Sequence, residues 1–440
     1  MCSADQVLNR DELMVSFSGW QSRPRNFGVF RGFASAVSRT GLLSIGMLLF
    51  NAAVQVVNFI LIARAIGPAG YGVVVAVAAV VTVSVELVGL GCGDMLTRTV
   101  VREAGKLRLA FGNALALVLL TFPLVLAGAA LVLWLLMAEA GWLAIGLWLL
   151  FAELVSARAL ALAEHVAIAM RQAVLASIFR VGFSLLRLAV VLVATLGLGV
   201  QDLAGWWVWQ GWFGVLAGPL VLGAAALRFG TPVFNLRTFD LGIGALFAAN
   251  QVVRALQFNV DRLVMAPVLG AAGLGVYGSG ARLTQFALIP VQALLRVSYP
   301  QFHEEGQRGI GAARGQAHRV LPGLLVAALL PAGAVWVLAP VVAALMGPGF
   351  EGVVDVLRGL APLPVAMAVQ YVYGDVLSGA DRQGWRTGIS VVSTLMLAGA
   401  IWIGSQAGGL IGGIQAVVVG NVLVAMAYVG IVEWLNRRAG

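Results

Sequence analysis

The feature that most constrains this chain is a succession of apolar stretches, each long enough to cross a lipid bilayer as a helix. A spanning helix needs about 20 mostly apolar residues. Only 11% of the 440 residues are charged, against about 25% in soluble domains, so most of the surface must face lipid. We therefore predict an all-α, polytopic membrane protein with about twelve spans. Their expected limits are 41–63, 73–95, 109–136, 142–166, 178–200, 204–226, 242–263, 275–298, 319–341, 355–378, 388–406 and 410–433.

The distribution of basic residues predicts the orientation of these spans. Twelve crossings place both termini on one side of the membrane. Most of the 28 lysines and arginines lie in the tails and the even-numbered connections, whereas Arg64, Arg262 and Arg358 lie at the opposite side. Because basic residues concentrate in cytoplasmic segments, both termini, including the tail 1–40, are expected in the cytoplasm. The same rule accounts for most of the net charge of +9, so no nucleic-acid partner is expected.

A short sequence is written twice. "ARAIGPAGYG" (63–72) and "APVLGAAGLG" (266–275) match at five positions, at a constant offset of 203. Each copy joins the first and second spans of a six-span half. Six crossings per half give a parallel repeat, an arrangement typical of transporters with a site between the halves. The expected domains are an N-terminal bundle at 41–226, a cytoplasmic linker at 227–241, a C-terminal bundle at 242–433 and a cytoplasmic tail at 434–440.

Two of the equivalent spans carry matching polar stripes. The first span contains Asn51, Gln55 and Asn58, and the seventh contains Asn250, Arg254, Gln257 and Asp261. Spacings of three and four residues place each set on one helical face. A polar face in lipid turns towards protein or a water-filled cavity. For the asparagines two interpretations stay open, namely a substrate cavity and hydrogen bonding that only holds the bundle together.

Charged residues deep in the spans are the strongest candidates for function. Arg254 lies about ten residues from either end of its span, where a charge costs about 2.5–3.5 kcal/mol on insertion scales. Several arginines in a cavity suit an anionic substrate, because guanidinium binds phosphate oxygens as a bidentate fork. Arg180, in contrast, is expected to reach the cytoplasmic headgroups. The predicted substrate-binding residues are Arg254, Arg187, Arg282, Asn51, Asn58 and Gln257; the candidates for coupling or ion pairing are Glu86, Glu153, Asp261 and Asp375.

Enzyme signatures are missing from the sequence. It contains no P-loop, no nucleophile elbow and no cluster of His, Cys and Asp with metal-ligand spacing. We therefore expect neither an enzyme nor a cofactor, and transport energy would come from a gradient, the membrane potential or downstream use of the substrate.

Three segments resemble a known family. "ARAIGPAGYG" after "NAAVQVVNF", "NVDRLVMAPVLGAAGLGVYGSGARL" (259–283) and "LMGPGFEGVVDVLRGLAP" (345–362) resemble the O-antigen and polysaccharide flippases (Wzx type) of the multidrug/oligosaccharidyl-lipid/polysaccharide (MOP) exporter superfamily. The resemblance covers about residues 40–435. It implies a V-shaped, MATE-like fold of two bundles, alternating access and cationic residues in the cavity.

The same resemblance implies a substrate and a location. The substrate would be an undecaprenyl-pyrophosphate-linked oligosaccharide, moved from the inner to the outer leaflet of the bacterial inner membrane for polysaccharide or lipopolysaccharide biosynthesis. Other polysaccharide-assembly proteins are possible partners. The alternative within the superfamily is a multidrug or small-molecule antiporter, with a carboxylate site at Glu86 and Asp261. A membrane-bound polysaccharide polymerase or ligase is a third class, but those enzymes usually carry a large outer loop, and the outer connections here are short.

Overall fold

The computed structural model describes residues 39–137, 142–235 and 241–439. These residues are helical almost throughout, because a chain in lipid must satisfy its backbone polar groups internally. The α-helices of the described residues are α1 (Arg39–Leu87), α2 (Cys92–Arg102), α3 (Leu107–Leu136), α4 (Leu143–Ala169), α5 (Ala173–Leu192), α6 (Leu203–Phe229), α7 (Leu241–Ala287), α8 (Ile289–Gly306), α9 (Ile310–Met346), α10 (Val353–Leu360), α11 (Leu363–Gly379) and α12 (Gln383–Ala439).

Three of the long helices contain a sharp bend at glycine. The backbone is non-helical at Gly67 in α1, at Gly270 in α7, and at Gly408 and Gly409 in α12. Within the described residues, nine helical segments are long and apolar enough to cross a membrane. Because three of these segments are bent at the glycines, division there gives twelve crossings. The predicted all-α class is confirmed, and the number of crossings agrees with the sequence.

Three of the expected spans are not continuous helices. The chain breaks at 88–91 between α1 and α2, at Leu288 between α7 and α8, and at 361–362 between α10 and α11. Gly89 and Gly91 have positive φ at the first break, and prolines occupy the first turns of α8 and α11, where their fixed φ favours a helix start. Apolar length therefore located these spans, and Pro290, Pro362 and Pro364 predict the second and third breaks from the sequence. The break at 88–91 carries no proline, and the continuity expected for 73–95 is wrong.

Two helices extend past the expected domain limits. α6 runs to Phe229, inside the expected linker 227–241, of which residues 236–240 lie outside the described residues. At the other end of the chain α12 continues to Ala439, through the segment expected as a tail. The expected N-terminal tail lies almost wholly outside the described residues, which begin at Arg39.

The two copies of the repeated sequence pack against each other. A Cβ added at Gly72 would lie 1.7 Å from the carbonyl oxygen of Ala271, and one added at Gly275 would lie 1.9 Å from that of Pro68. The offset of 203 relates Gly72 to Gly275 and Pro68 to Ala271, so the two contacts are reciprocal. The glycines admit a close approach of backbones that any side chain would prevent. This contact gives a physical reason for the repetition of the sequence.

Buried apolar side chains form two large clusters. One is built mainly from α1 to α6 and is joined by side chains of α7, α9 and α10. The other is built from α7 to α12. Large apolar side chains also cover the outside, such as Leu124 and Leu227, as a surface in contact with lipid requires. Polar side chains gather instead in two cavities, one beside each cluster.

Candidate functional site

The first cavity, of about 340 Å³, is called here the N-terminal cavity. Its walls are α1, α4 and α5, together with Arg282 from α7. The second, of about 510 Å³, is called the C-terminal cavity and is lined by α7, α8, α11 and α12. Both cavities contain arginines, and the two differ in how those charges are held.

Two arginines of the N-terminal cavity are bound by glutamates. Arg187 forms an ion pair with Glu153, whose Oε1 also accepts a hydrogen bond from Nε2 of Gln210 at 2.7 Å. Arg180 pairs with Glu164, and its Nε donates to Oε1 at 2.8 Å. Each glutamate of α4 is thus neutralised by an arginine of the neighbouring helix α5.

The third arginine of the N-terminal cavity has a different environment. Nη2 of Arg282 lies 3.4 Å from Oε1 of Gln55, and its guanidinium carbon lies 5.9 Å from the ring centroid of Phe59. An amide oxygen and an aromatic ring stabilise a cation but do not neutralise it. Beside them Asn58 is only 5% exposed, and its Oδ1 has no hydrogen-bond partner among the described residues. The cavity therefore has an excess positive charge and a free buried acceptor.

The C-terminal cavity combines two arginines with many neutral polar groups. Nη1 of Arg386 donates to Oδ1 of Asp375 at 3.2 Å and to Oγ of Ser378 at 2.6 Å. Arg254 is exposed to the cavity and donates to the side-chain oxygen of Gln251. The remaining polar groups are amides and hydroxyls, from Asn250, Gln257, Tyr299, Gln370, Tyr371, Gln383, Thr387, Ser390, Ser393, Asn421 and Tyr428.

The predicted substrate-binding residues are divided between the two cavities. The N-terminal cavity contains Arg187, Arg282 and Asn58, and the C-terminal cavity contains Arg254 and Gln257. Asn51 lines neither; it is 4% exposed, and its Oδ1 has no partner within the described part of the chain. The predicted substrate-binding residues therefore do not line a single cavity.

The candidates for coupling or ion pairing also have distinct positions. Glu153 and Asp375 bind arginines of the two cavities. Asp261 accepts a hydrogen bond of 2.6 Å from the hydroxyl of Tyr277, and one of 2.9 Å from the backbone N–H of Arg262. Glu86 lies within electrostatic range of Arg254. Glu86 and Asp261, proposed above for a carboxylate site, are not among the residues that line either cavity.

Glu164 and Arg386 are polar residues of the cavities that sequence reasoning missed. Arg386 falls in a connection between the expected spans, whereas it lies in α12 and faces the C-terminal cavity. Arg180 was expected to reach the headgroups, and it pairs with Glu164 instead. A usable signal existed for the pairs in α4 and α5: the two glutamates are eleven residues apart and the two arginines seven, so each pair lies on one helical face.

The long apolar helices are those of a multi-pass membrane protein, and comparisons with known proteins identify its family. The sequence model of the family described as "Polysaccharide biosynthesis protein" matches residues 38–305, more than half of the chain. The chain therefore belongs to this family. It is also 24% identical over 180 residues to the "Teichuronic acid biosynthesis protein TuaB" of Bacillus subtilis (strain 168), a match that covers 39% of this chain and 37% of that protein.

Solved structures of MATE transporters share the fold. An inward-facing multidrug resistance MATE transporter of the MOP superfamily matches with a TM-score of 0.72 and 15% identity, over 89% of this chain and 96% of that chain. The transporter DinF-BH gives a TM-score of 0.62 with 15% identity, over 94% and 98%. A mutant of VcmN from Vibrio cholerae gives 0.61 with 17% identity, over 93% and 98%. The MATE-like fold that the resemblance implies is thereby confirmed.

Proposed function

We propose that this protein moves a polyprenyl-pyrophosphate-linked oligosaccharide from the inner to the outer leaflet of the bacterial inner membrane by alternating access. The observation that carries the proposal is the excess of positive charge in both cavities. The N-terminal cavity has three arginines and two glutamates, and both glutamates are already ion-paired. In the C-terminal cavity Arg386 binds Asp375, which leaves Arg254 with a neutral partner.

An arginine whose hydrogen-bond partner is neutral has a preference for an anion. Electrostatic attraction increases as the local dielectric constant falls, and guanidinium can donate two parallel hydrogen bonds to phosphate oxygens. Arg254 and Arg282 are the two groups with this capacity, since the side chains that accept their hydrogen bonds are neutral amides. The pyrophosphate of a lipid carrier supplies the matching charge. An undecaprenyl chain is the carrier that the family resemblance implies.

The neutral groups of the C-terminal cavity suit the sugar portion. Sugars present many hydroxyls, each of which donates and accepts, and amide side chains also do both. Gln370, Asn421 and Gln257 line this cavity. The hydroxyl of Tyr371 is buried without a hydrogen-bond partner among the described residues, and such a group favours a polar ligand that completes its bonding.

The second candidate is antiport of organic cations, and the fold shared with MATE multidrug transporters fits it equally well. An organic cation needs a free carboxylate or an aromatic cage. The carboxylates that line the N-terminal cavity are occupied by Arg180 and Arg187, and this arrangement favours the anionic substrate.

Deletion of the gene separates the two candidates. We expect loss of a surface or secreted polysaccharide, accumulation of its lipid-linked precursor in the inner leaflet and unchanged sensitivity to cationic drugs. Intact polysaccharide together with hypersensitivity to such drugs would establish the antiporter instead. Complementation by the wild-type gene controls for effects on neighbouring genes.

The direction of transport also depends on topology, for which we propose cytoplasmic termini. The basis is the asymmetric distribution of arginines in the sequence. Reporter fusions after Asp202 and Gly347 should be active outside the cytoplasm, and fusions after Lys106 and Arg314 should not. The reverse pattern would overturn the orientation and, with it, the proposed direction.

A further inference from the structure

We propose that an apolar groove between the two arms of α12 binds the hydrocarbon chain of the lipid carrier while the head group occupies the C-terminal cavity. This inference rests on the proposed function and adds a binding site for the hydrocarbon chain to the one proposed for the head group. The groove has a volume of about 640 Å³. It is called here the α12 groove, and the residues that line it include Trp385, Gly388, Val392, Met396, Gly420 and Leu423.

The α12 groove is a bounded slot, which distinguishes it from an ordinary lipid-facing helix surface. At one end the arms touch, because a Cβ added at Gly412 would lie 2.1 Å from the carbonyl oxygen of Gly404. At the other end the rings of Trp385 and Trp434 meet with centroids 5.7 Å apart. The arm from residue 384 to residue 400 rises ~24 Å, against a hydrocarbon thickness of about 30 Å. The slot thus has the dimensions of an extended chain within the bilayer.

Glycine makes room along this slot. A Cβ added at Gly384 or at Gly388 would meet no heavy atom within 4 Å, so the missing side chains leave open space beside the helix. Among the residues that line the groove only Ser393 carries a hydroxyl, and charged residues do not contribute to it. Such a surface binds hydrocarbon through apolar contact and offers almost no partner for a polar group.

The α12 groove adjoins the C-terminal cavity. Ser393, Leu397 and Val424 line both, so a single layer of side chains separates them. Neighbouring residues of the same turn of α12 face the two sites, with Trp385 in the groove and Arg386 in the cavity. A molecule with an anionic head and a long hydrocarbon chain matches this juxtaposition, since the excess charge at Arg254 binds the head and the groove binds the chain.

Two pyrophosphates with the same head and different chains test this assignment. We would measure binding of undecaprenyl pyrophosphate and of isopentenyl pyrophosphate to the full-length protein in nanodiscs of phosphatidylethanolamine and phosphatidylglycerol. Gly388→Leu fills the groove and should weaken binding of the long-chain probe about tenfold, which corresponds to the loss of roughly two buried CH₂ groups. Binding of the five-carbon probe should not change.

Gly399→Leu is the matched control. Gly399 lies on the same arm of α12, is exposed, and has no heavy atom within 4 Å of an added Cβ, but it does not line the groove. It should leave the binding of both probes unchanged. If Gly388→Leu binds the long-chain probe with wild-type affinity, the hydrocarbon chain does not occupy the groove and the proposal is overturned. An equal loss of affinity for both probes would also overturn it, because it indicates that the substitution distorts the site of the head group.

Other occupants of the groove give different results, and each would also overturn the proposal. If an ordinary bilayer lipid occupies it, a higher fraction of phosphatidylglycerol in the nanodiscs weakens binding of the long-chain probe to the wild-type protein as much as Gly388→Leu does. If a second copy of the chain occupies it, Gly388→Leu lowers the oligomeric mass of the purified protein. Arg254→Ala tests the position of the head group separately and should weaken binding of both probes. Normal binding of both probes would show that the head group does not bind Arg254, whereas the dependence on chain length would still support the groove.

Discussion

α1 and α7 are the two copies of one helical hairpin, and they agree in backbone while differing in charge. Both bend at a glycine of nearly identical conformation, Gly67 with φ 68° and ψ 178°, and Gly270 with φ 64° and ψ −178°. The offset of 203 that relates these glycines places Asn51 at the position of Arg254 and Ala79 at the position of Arg282. The two arginines without a carboxylate partner in the cavities therefore both belong to α7.

This difference suggests how a repeated scaffold acquires an asymmetric task. Arg254 lies on one arm of α7 and faces the C-terminal cavity, whereas Arg282 lies on the other arm and faces the N-terminal cavity. A change in the bend at Gly270 would move these two charges relative to each other. Both hairpins contribute to the contact at the repeated loops, whereas the cavity arginines without a carboxylate partner come from α7.

Removal of both free charges of α7 should have the largest effect. We expect Arg254→Ala combined with Arg282→Ala to reduce polysaccharide export at least ~100-fold, and each single substitution about tenfold, because a hydrogen bond to a charged group contributes about 1.5–3 kcal/mol. Export is measured per amount of membrane-inserted protein. Arg308→Ala is the control, since the side chain of Arg308 is 75% exposed and lies outside both cavities.

The equivalent position of α1 sharpens this prediction. Asn51→Ala removes no charge, and we expect export to change by less than about threefold, the effect of a single neutral hydrogen bond. A loss for Asn51→Ala as large as that for Arg254→Ala would show that the two helices contribute alike, and the asymmetry proposed here would be wrong.

The paired arginines should affect stability more than the free ones. Glu153→Gln leaves Arg187 without its carboxylate in a site where the two side chains are 21% and 26% exposed. We expect the free energy of unfolding to fall by about 1–3 kcal/mol, below the cost of a fully buried pair. Arg282→Ala should lower it by less than about 0.5 kcal/mol. Thermal unfolding in detergent compares the variants, and equal destabilisation would contradict the distinction between paired and free charges.

Substitutions in the repeated loops test whether the two hairpins contribute equally to the contact between them. Gly72→Ala and Gly275→Ala should separate the loops by similar amounts and reduce export to a similar degree, about fivefold or more, since overpacking a close contact costs about 1–3 kcal/mol. Spin labels on the two loops would report the separation. Gly128→Ala, where an added Cβ meets no heavy atom within 4 Å, serves as the control; clearly unequal effects of the first two substitutions would break the symmetry.

Helix type and approximate number were predictable because each depends on a local property. An apolar run of about 20 residues has few alternatives to a helix in lipid. Two of the breaks were accessible as well, because Pro290 follows Leu288 closely and Pro362 lies in the break at 361–362. The break at 88–91 was less accessible, since it depends on the conformation of glycines and carries no proline. The ion pairs Glu153–Arg187 and Glu164–Arg180 were within reach of the sequence, through their spacing on the faces of α4 and α5.

The division of the arginines between two cavities was not predictable in this way. It depends on the bend at Gly270, which sets the direction of the arm that carries Arg282 relative to the arm that carries Arg254. Helical periodicity relates residues within one straight segment and loses its meaning across such a bend. The glycine was visible in the repeat, but the angle that it produces depends on the packing of the loops against each other.

A smaller effect than that of Arg254→Ala is expected for Arg254→Lys, and it distinguishes charge from geometry at the free arginine of the C-terminal cavity. Lysine keeps the positive charge but lacks the planar fork that binds two phosphate oxygens at once. If the excess charge alone attracts the substrate, export should remain close to wild type. If a bidentate contact is made, export should fall by about three- to tenfold, less than for Arg254→Ala. We expect the partial loss.

The measurement is the initial rate of export at matched protein levels, with Arg308→Lys as the control for the same change at an exposed site. An Arg254→Lys protein as inactive as Arg254→Ala would show that the guanidinium geometry, and not the charge, holds the substrate, and the charge excess would then lose its place as the basis of recognition.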